Sequence, residues 1–349
     1  MIDRIVGFCV VQRWLIVVAT IGMAAFGAYN FLRLPIDAVP DITNVQVQIN
    51  AVAPGYSPLE AEQRITFPIE TGLGGLPKLS YTRSLSRYGL SQVTVVFEDG
   101  TDIYWARTLV NERIQQVKDQ LPQGISLAMG PIATGLGEIF MYTVEAKEGA
   151  KKANGEALTP TDLRTLHDWV VKPQLRTVPG VVEVNPIGGY ERQFHVVPDP
   201  ERLTAFSISL HQLVEAISKN NINTGAGYIE KNGEQYLVRS PGQLANADDI
   251  LNIHLGTHSG VAIRIRDVAN VTIGSELRTG AATINGTEVV LGTAMMLIGE
   301  NSRTVSTRVA ERLKQIEKSL PEGAMIRTVY DRTTLVNSTI NTVRNNLFE

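Results

Sequence analysis

Two blocks of this 349-residue chain recur downstream, each holding register, and that duplication limits the fold more than any other feature. The earlier copy opens with Asn44-Val-Gln-Val-Gln-Ile-Asn50, where Val45, Val47 and Ile49 alternate with polar residues as in a strand buried on one face. Ser57-Pro58-Leu59-Glu60 then offers an N-cap hydroxyl, a proline at the first helical position and a carboxylate three residues past the cap. A helix is expected from there until Leu76-Pro77, kinked by Pro68, which cannot donate to the carbonyl of Arg64. Strands are expected at residues 79–86 and 89–97. Asp102 can cap a second helix whose apolar positions Val110, Ile114, Val117 and Leu121 fall on one face, and residues 125–129 supply a fourth strand. The order βαββαβ is a split-βαβ sandwich of ferredoxin-like type.

Shifted by 102 residues, Thr159-Pro160-Thr161-Asp162 repeats the capping box and Val178-Pro179 repeats the stop. Shifted by 199, Gly299, Asn301, Glu311-Arg312 and Leu320-Pro321-Glu322-Gly323 repeat Gly100, Asp102, Glu112-Arg113 and Leu121-Pro122-Gln123-Gly124. The apolar stripe recurs too, as Val309, Leu313, Ile316 and Leu320. The two offsets differ by 97, so the second copy is expected to carry about 97 extra residues between its second and third strands.

A chain of this length can hold two or three compact domains. Its net charge of -3 disfavours a nucleic-acid surface, and the aromatic-rich strand motif of RNA-binding ferredoxin-like folds is missing. The single cysteine, Cys9, excludes an intrachain disulfide and a cysteine metal cluster. Residues 14–32 (WLIVVATIGMAAFGAYNFL) are uncharged and as a helix would reach about 28 Å, close to a hydrocarbon core of about 30 Å. A transmembrane helix is therefore expected. The alternative is a cleaved signal peptide with Arg4 and Arg13 as its basic region, but the apolar run continues past the passable cleavage site Ala25-Phe-Gly27. Arg4 and Arg13 precede the span while Arg33 and then Asp37 and Asp41 follow it, a bias that orients the amino terminus toward the cytoplasm.

Residues 33–43 follow as a linker in which Pro35 and Pro40 forbid helix and favour an extended connector. The first copy then takes residues 44–132, and the second takes residues 133–188 and 286–331. The insertion, residues 189–285, reads as a folded α/β subdomain. Strands are expected at 190–197, 234–239 and 262–268, a helix opens at the capping box Ser209-Leu-His-Gln212, Gly225 and Gly227 mark a loop, and Asn285-Gly286 makes a hairpin turn. Residues 332–349 have apolar residues at helical spacing.

Few residues suggest covalent chemistry. No Gly-x-Ser-x-Gly elbow or reactive cysteine setting is present, and the glycines of residues 130–137 lack the Lys-Ser/Thr of a phosphate cradle. His254 and His258 are four apart, a ligand spacing on a helix, yet Asn252-Ile-His-Leu-Gly256 reads as strand and turn. Two carboxylates stand out. Glu138 starts a strand straight after Thr134-Gly-Leu-Gly137, and Asp168 lies in His167-Asp168-Trp169 on the first helix of the second copy. Each is a candidate to face a cleft between the copies, with a solvated carboxylate as the plain alternative.

Several long motifs resemble one family. Leu34-Pro-Ile-Asp-Ala-Val-Pro-Asp-Ile-Thr-Asn-Val-Gln-Val, Arg83-Ser-Leu-Ser-Arg-Tyr-Gly-Leu-Ser-Gln-Val-Thr-Val, Phe97-Glu-Asp-Gly-Thr-Asp102, Leu277-Arg-Thr-Gly-Ala-Ala282 and Val329-Tyr-Asp-Arg332 are similar to the amino-terminal part of heavy-metal efflux pumps of the resistance-nodulation-division (RND) superfamily. The cobalt-zinc-cadmium exporters are the nearest in kind. The resemblance implies an α+β chain with one transmembrane helix and two ferredoxin-like porter subdomains, the second interrupted by a docking subdomain. It implies a proton antiporter, not an enzyme, in the bacterial inner membrane, with the residues after 33 in the periplasm. Partners would be two further protomers in a homotrimer, a periplasmic membrane-fusion adaptor, an outer-membrane channel and membrane lipid. No cofactor is expected.

The resemblance further implies that Glu138 lines the porter cleft, and that the cargo is zinc, cobalt or cadmium, with nickel a further candidate. Carboxylate and imidazole suit such ions, whereas Cu(I) and Ag(I) favour sulfur. Family members continue through more membrane helices and a second periplasmic half, so the resemblance implies part of a longer pump that does not transport alone. The competing expectation is a membrane-anchored periplasmic binding or assembly module with no transport role.

Overall fold

The computed structural model describes residue 7 and residues 10–33, 43–152, 155–240, 242–258, 260–276 and 280–348. The linker expected over residues 33–43 lies outside the described residues except at its two ends, as do positions 277–279 of one family-like motif.

The amino-terminal apolar run folds as a helix, α1 (Arg13–Arg33), with its large apolar side chains exposed, Trp14 and Met23 by about three quarters. The transmembrane expectation needs correction here: among the described residues no helix is long and apolar enough to cross a membrane.

The chain divides into two compact units, one made of residues 1–150, 167–186 and 291–349 and the other of residues 151–166 and 187–290. The first unit contains the first copy. Strand β1 (Gln46–Val52) leads to α2 (Pro58–Ala61), whose capping box closes through Ser57 N–H to Glu60 Oε2 at 3.0 Å and Glu60 N–H to Ser57 Oγ at 3.3 Å. A π-helical turn, Glu62–Thr66, follows before α3 (Phe67–Leu73). The amide of Phe67 already reaches back to the carbonyl of Glu62, so the ladder slips by one residue before Pro68 and not at it, which corrects the simple proline kink. Gly72 lets the Val117 side chain lie against its Cα.

Strands β2 (Leu79–Arg87) and β3 (Leu90–Phe97) form a hairpin, α4 (Ile103–Lys118) is capped by Asp102 through Trp105 N–H at 2.7 Å, and β4 (Ser126–Met129) completes a sheet of order β2-β3-β1-β4. Val47, Ile49, Val93, Val95 and Phe97 of this sheet meet Ile65, Ile69, Val110, Ile114 and Val117 of the helices in one buried core.

The second copy starts with β5 (Glu138–Ala146), then α5 (Pro160–Leu166), a second π-helical turn (His167–Val171), α6 (Lys172–Leu175) and β6 (Val181–Ile187). The insertion then forms β7 (Arg192–Pro198), α7 (Pro200–Ala205), α8 (Leu210–Asn220), β8 (Thr224–Lys231), β9 (Glu234–Ser240), α9 (Ala247–Leu251), β10 (His254–His258), β11 (Val261–Arg264), α10 (Ile265–Val268), β12 (Ala269–Ser275) and β13 (Ala282–Ile284). Its core joins Leu213, Ile250, Ile253, Ile263, Ile265 and Val268.

Two readings of the insertion change. The loop expected at Gly225 and Gly227 is strand β8, whose pairing with β9 shifts register between Gly225 and Tyr228, with Gly227 at φ +85. The strand expected over residues 262–268 ends at Arg264, because Asp267 accepts the Arg264 amide at 2.8 Å and starts α10. Asn285 and Gly286, both at positive φ, make the turn from β13 into β14 (Thr287–Met296), and α11 (Ser302–Glu317), β15 (Ala324–Asp331) and α12 (Arg332–Phe348) close the chain.

The second sheet repeats the first. Strands β14, β5 and β15 run in that order with β6 also paired to β14, so each strand holds the place of its counterpart among β3, β1, β4 and β2. Helices α4 and α11 are both 16 residues long and start 199 positions apart. Between β2 and β3 lie residues 88 and 89; between β6 and β14 lie residues 188–286, which is 97 more.

Candidate functional site

Glu138 stands at the first position of β5, delivered by a 3-10 turn over Gly135–Gly137. That turn is pinned by Gly137 N–H to Thr134 O at 2.9 Å and by the buried Arg332, whose Nη1 donates to Leu136 O at 3.1 Å. A Cβ at Gly137 would lie 3.1 Å from the Met296 carbonyl, so a glycine suits this approach of the turn to β14. The Glu138 side chain is half-buried, and among the described residues it engages no hydrogen-bond or ion-pair partner. A carboxylate withdrawn from water without a partner has lost solvation that a cation can restore.

Asp168 sits differently. It lies in the second π-helical turn, its side chain about a quarter exposed, and its Oδ1 is 2.9 Å from His167 Nδ1. His167 is fully buried and its Nε2 is 3.0 Å from the Tyr142 hydroxyl. Tyr142, also fully buried, is on β5 four residues beyond Glu138, about 13 Å along the strand. The structure thus joins Asp168 to His167 and Tyr142, and Glu138 is outside that chain. Burial, and then the Asp168 charge, push the Tyr142 hydroxyl well above the ordinary phenol range.

The remaining histidines show no shared site. His254 and His258 are both on β10, where residues four apart are about 13 Å from each other, and His258 meets Phe206 edge-on at 6.1 Å. Among the described residues no group of three or more His, Cys, Asp or Glu is placed to hold a metal ion. His167 and Tyr142 carried no site signal in the sequence beyond the adjacency of His167 to Asp168, because their contact spans 25 positions and depends on the π-helical turn.

Two ferredoxin-like copies with an insertion at one hairpin fit many folds, but the AcrB/AcrD/AcrF family model matches residues 5–349. The chain belongs to the AcrB/AcrD/AcrF family. Members are inner-membrane RND transporters and not classical enzymes, and the relatives found are heavy-metal efflux proteins. "Cobalt-zinc-cadmium resistance protein CzcA" of Cupriavidus metallidurans is 63% identical over 349 residues, covering all of this chain and 33% of the relative. "Nickel and cobalt resistance protein CnrA" of the same organism is 43% identical over 373 residues, covering all of this chain and 35% of the relative. A solved heavy metal efflux pump superposes with a TM-score of 0.87 at 32% identity, over 99% of this chain and 34% of the pump. This AcrB/AcrD/AcrF chain therefore spans about a third of the length of the relatives it matches, and the resemblance read from its motifs stands.

Proposed function

We propose that this chain is the cation-collecting part of a proton-driven exporter of divalent heavy-metal ions, with zinc, cobalt and cadmium as cargo and nickel as a further candidate. Glu138 is the first ligand and Asp168 a weaker second one. The observation that carries this reading is the half-buried, unpartnered carboxylate of Glu138 at the glycine turn before β5, in a chain 63% identical to a protein named for cobalt, zinc and cadmium resistance. A transport site must release its ion, so few protein ligands in each state and weak binding are expected, unlike a closed structural site with four.

The chain would act in a homotrimer joined through a periplasmic adaptor to an outer-membrane channel, with residues after 33 in the periplasm as porter and docking subdomains. The exposed apolar girth of α1 is the surface that would meet lipid.

The test belongs in the whole pump in a metal-sensitive host. Glu138→Gln keeps shape and removes the charge, so zinc tolerance should fall while protein level and membrane insertion stay unchanged. Full tolerance to zinc, cobalt and cadmium in that variant would make Glu138 a plain strand end and send the search for the ion site elsewhere.

A further inference from the structure

Each copy carries a π-helical turn in its first helix just ahead of a proline, Pro68 or Pro173, the second starting 105 residues after the first and so three residues beyond the 102-residue register of the caps. What they bury differs. In the first copy, Thr66 Oγ1 lies 2.6 Å from Ser91 Oγ, 2.8 Å from Ser86 Oγ and 3.3 Å from the Ala61 carbonyl. These are short neutral groups that satisfy one another. In the second copy a buried chain runs from the Tyr142 hydroxyl through the His167 ring to the Asp168 carboxylate, which is partly exposed.

We propose that Tyr142 and His167 are positioning residues for the cation cargo, holding the Asp168 carboxylate in the orientation in which it binds a divalent ion. This inference rests on the reading of Asp168 as a ligand given above.

The order of donors follows from the chemistry of the three groups. An ionised carboxylate only accepts, so His167 Nδ1 must carry the hydrogen that is shared with Asp168 Oδ1. In a neutral imidazole that leaves Nε2 as an acceptor, and the Tyr142 hydroxyl is its donor. The hydroxyl remains protonated because burial and the nearby Asp168 charge both oppose its ionisation. Both rings are fully buried, so exchange with bulk water is denied to either nitrogen. The phenol reaches this position because residue 292 is glycine: a Cβ there would overlap Tyr142 Cζ and the hydroxyl oxygen.

Positions 142, 167 and 292 thus fix the tautomer of one ring, and that ring fixes one carboxylate. Outer partners of this kind set ligand orientation in metal sites, and their loss weakens affinity by roughly ten-fold or more.

Zinc transport by the whole pump in proteoliposomes separates the possibilities. Asp168→Asn is the reference and should raise KM about ten-fold with the maximal rate within about two-fold. His167→Leu keeps bulk and removes both nitrogens, and a similar rise in KM is expected. His167→Asn places an amide N–H where Nδ1–H stood and should restore most of the parental KM. Tyr142→Phe keeps the ring over Gly292, removes only the hydroxyl, and should raise KM about three-fold.

If Asp168→Asn raises KM while His167→Leu and Tyr142→Phe do not, the positioning role is overturned and the ligand reading survives. If Asp168→Asn leaves KM unchanged, both fall. Should His167→Leu fail to accumulate, Tyr142→Phe decides. A readout independent of transport is nitrogen-15 solid-state NMR of histidine-labelled pump. A His167 ring protonated at Nδ1 supports the proposal, and one protonated at Nε2 alone overturns it.

Discussion

The phenol of Tyr142 lies across the Cα of Gly292, close enough that any side chain at 292 would occupy the space of its Cζ and hydroxyl. Both residues are in the packed interior of the second sheet, where Tyr142 is fully buried. Gly292→Ala should therefore overpack this point and cost about 1–3 kcal/mol, with occasional larger losses at such sites. Thermal unfolding is the measurement. A melting temperature equal to the parent would mean that the ring moves aside at no cost.

Thr66 offers the matching test in the first copy. Thr66→Val preserves shape but leaves the fully buried Ser91 hydroxyl without its 2.6 Å partner, so a loss of about 1–3 kcal/mol is expected. Thr66→Ser keeps the hydroxyl and should lose less. Denaturant titration distinguishes them, and equal stability of the two variants would show that the hydroxyl cluster contributes little.

Helix capping makes stability depend on acid. The Ser57 amide and then the Ser57 hydroxyl hold Glu60 below the ordinary glutamate range. A group whose folded pKa is depressed contributes stability above its unfolded value, about 4.3 for glutamate, and loses it as pH falls through the folded value. Asp162 behaves likewise: burial pushes it up, but the Thr159 hydroxyl and amide and Lys152 outweigh this and hold it down. Amide hydrogen exchange over residues 58–73 should therefore quicken, relative to its intrinsic rate, between pH 5 and pH 3. In Glu60→Gln that pH dependence should be absent, and its persistence would locate the acid sensitivity outside the capping box.

The caps of the long helices should be interchangeable in energy. Asp102 accepts from Trp105 N–H at 2.7 Å and Asn301 from Thr304 N–H at 3.1 Å, at equivalent positions of the two copies. Asp102→Ala and Asn301→Ala should each cost about 1 kcal/mol in chemical denaturation. A loss confined to one of them would mean that the copies no longer share this function.

The parts of the fold visible in the sequence are those set by short-range chemistry. The boxes at Ser57, Thr159 and Ser209 close as their spacing requires, and Val110, Ile114 and Val117 are buried as their period requires. The π-helical turns were not legible, because one residue of slippage inside a helix leaves the apolar spacing almost unchanged. Strand β8 was hidden by Gly225 and Gly227, which signal a loop and here sit at a bulge. Glu138 could be singled out because glycines precede it, but its half-burial depends on what surrounds β5. Tyr142 could not be singled out, since nothing near it in the chain shows that Gly292 and His167 complete its surroundings.

The interruption between β6 and β14 also bears on the order in which the copies form. The β2–β3 hairpin closes over two residues and the equivalent pair closes over residues 188–286, 99 of them. Bringing the ends of a flexible segment together costs more as it lengthens, and on logarithmic scaling this difference is about 3.5 kcal/mol. That penalty falls on the folding barrier of the second copy unless the insertion has first condensed on its own core and brought its two ends close. The first copy can complete its sheet from local chain alone. The second closes its sheet only across residues 188–286, so its β6–β14 pairing waits on the condensation of the insertion.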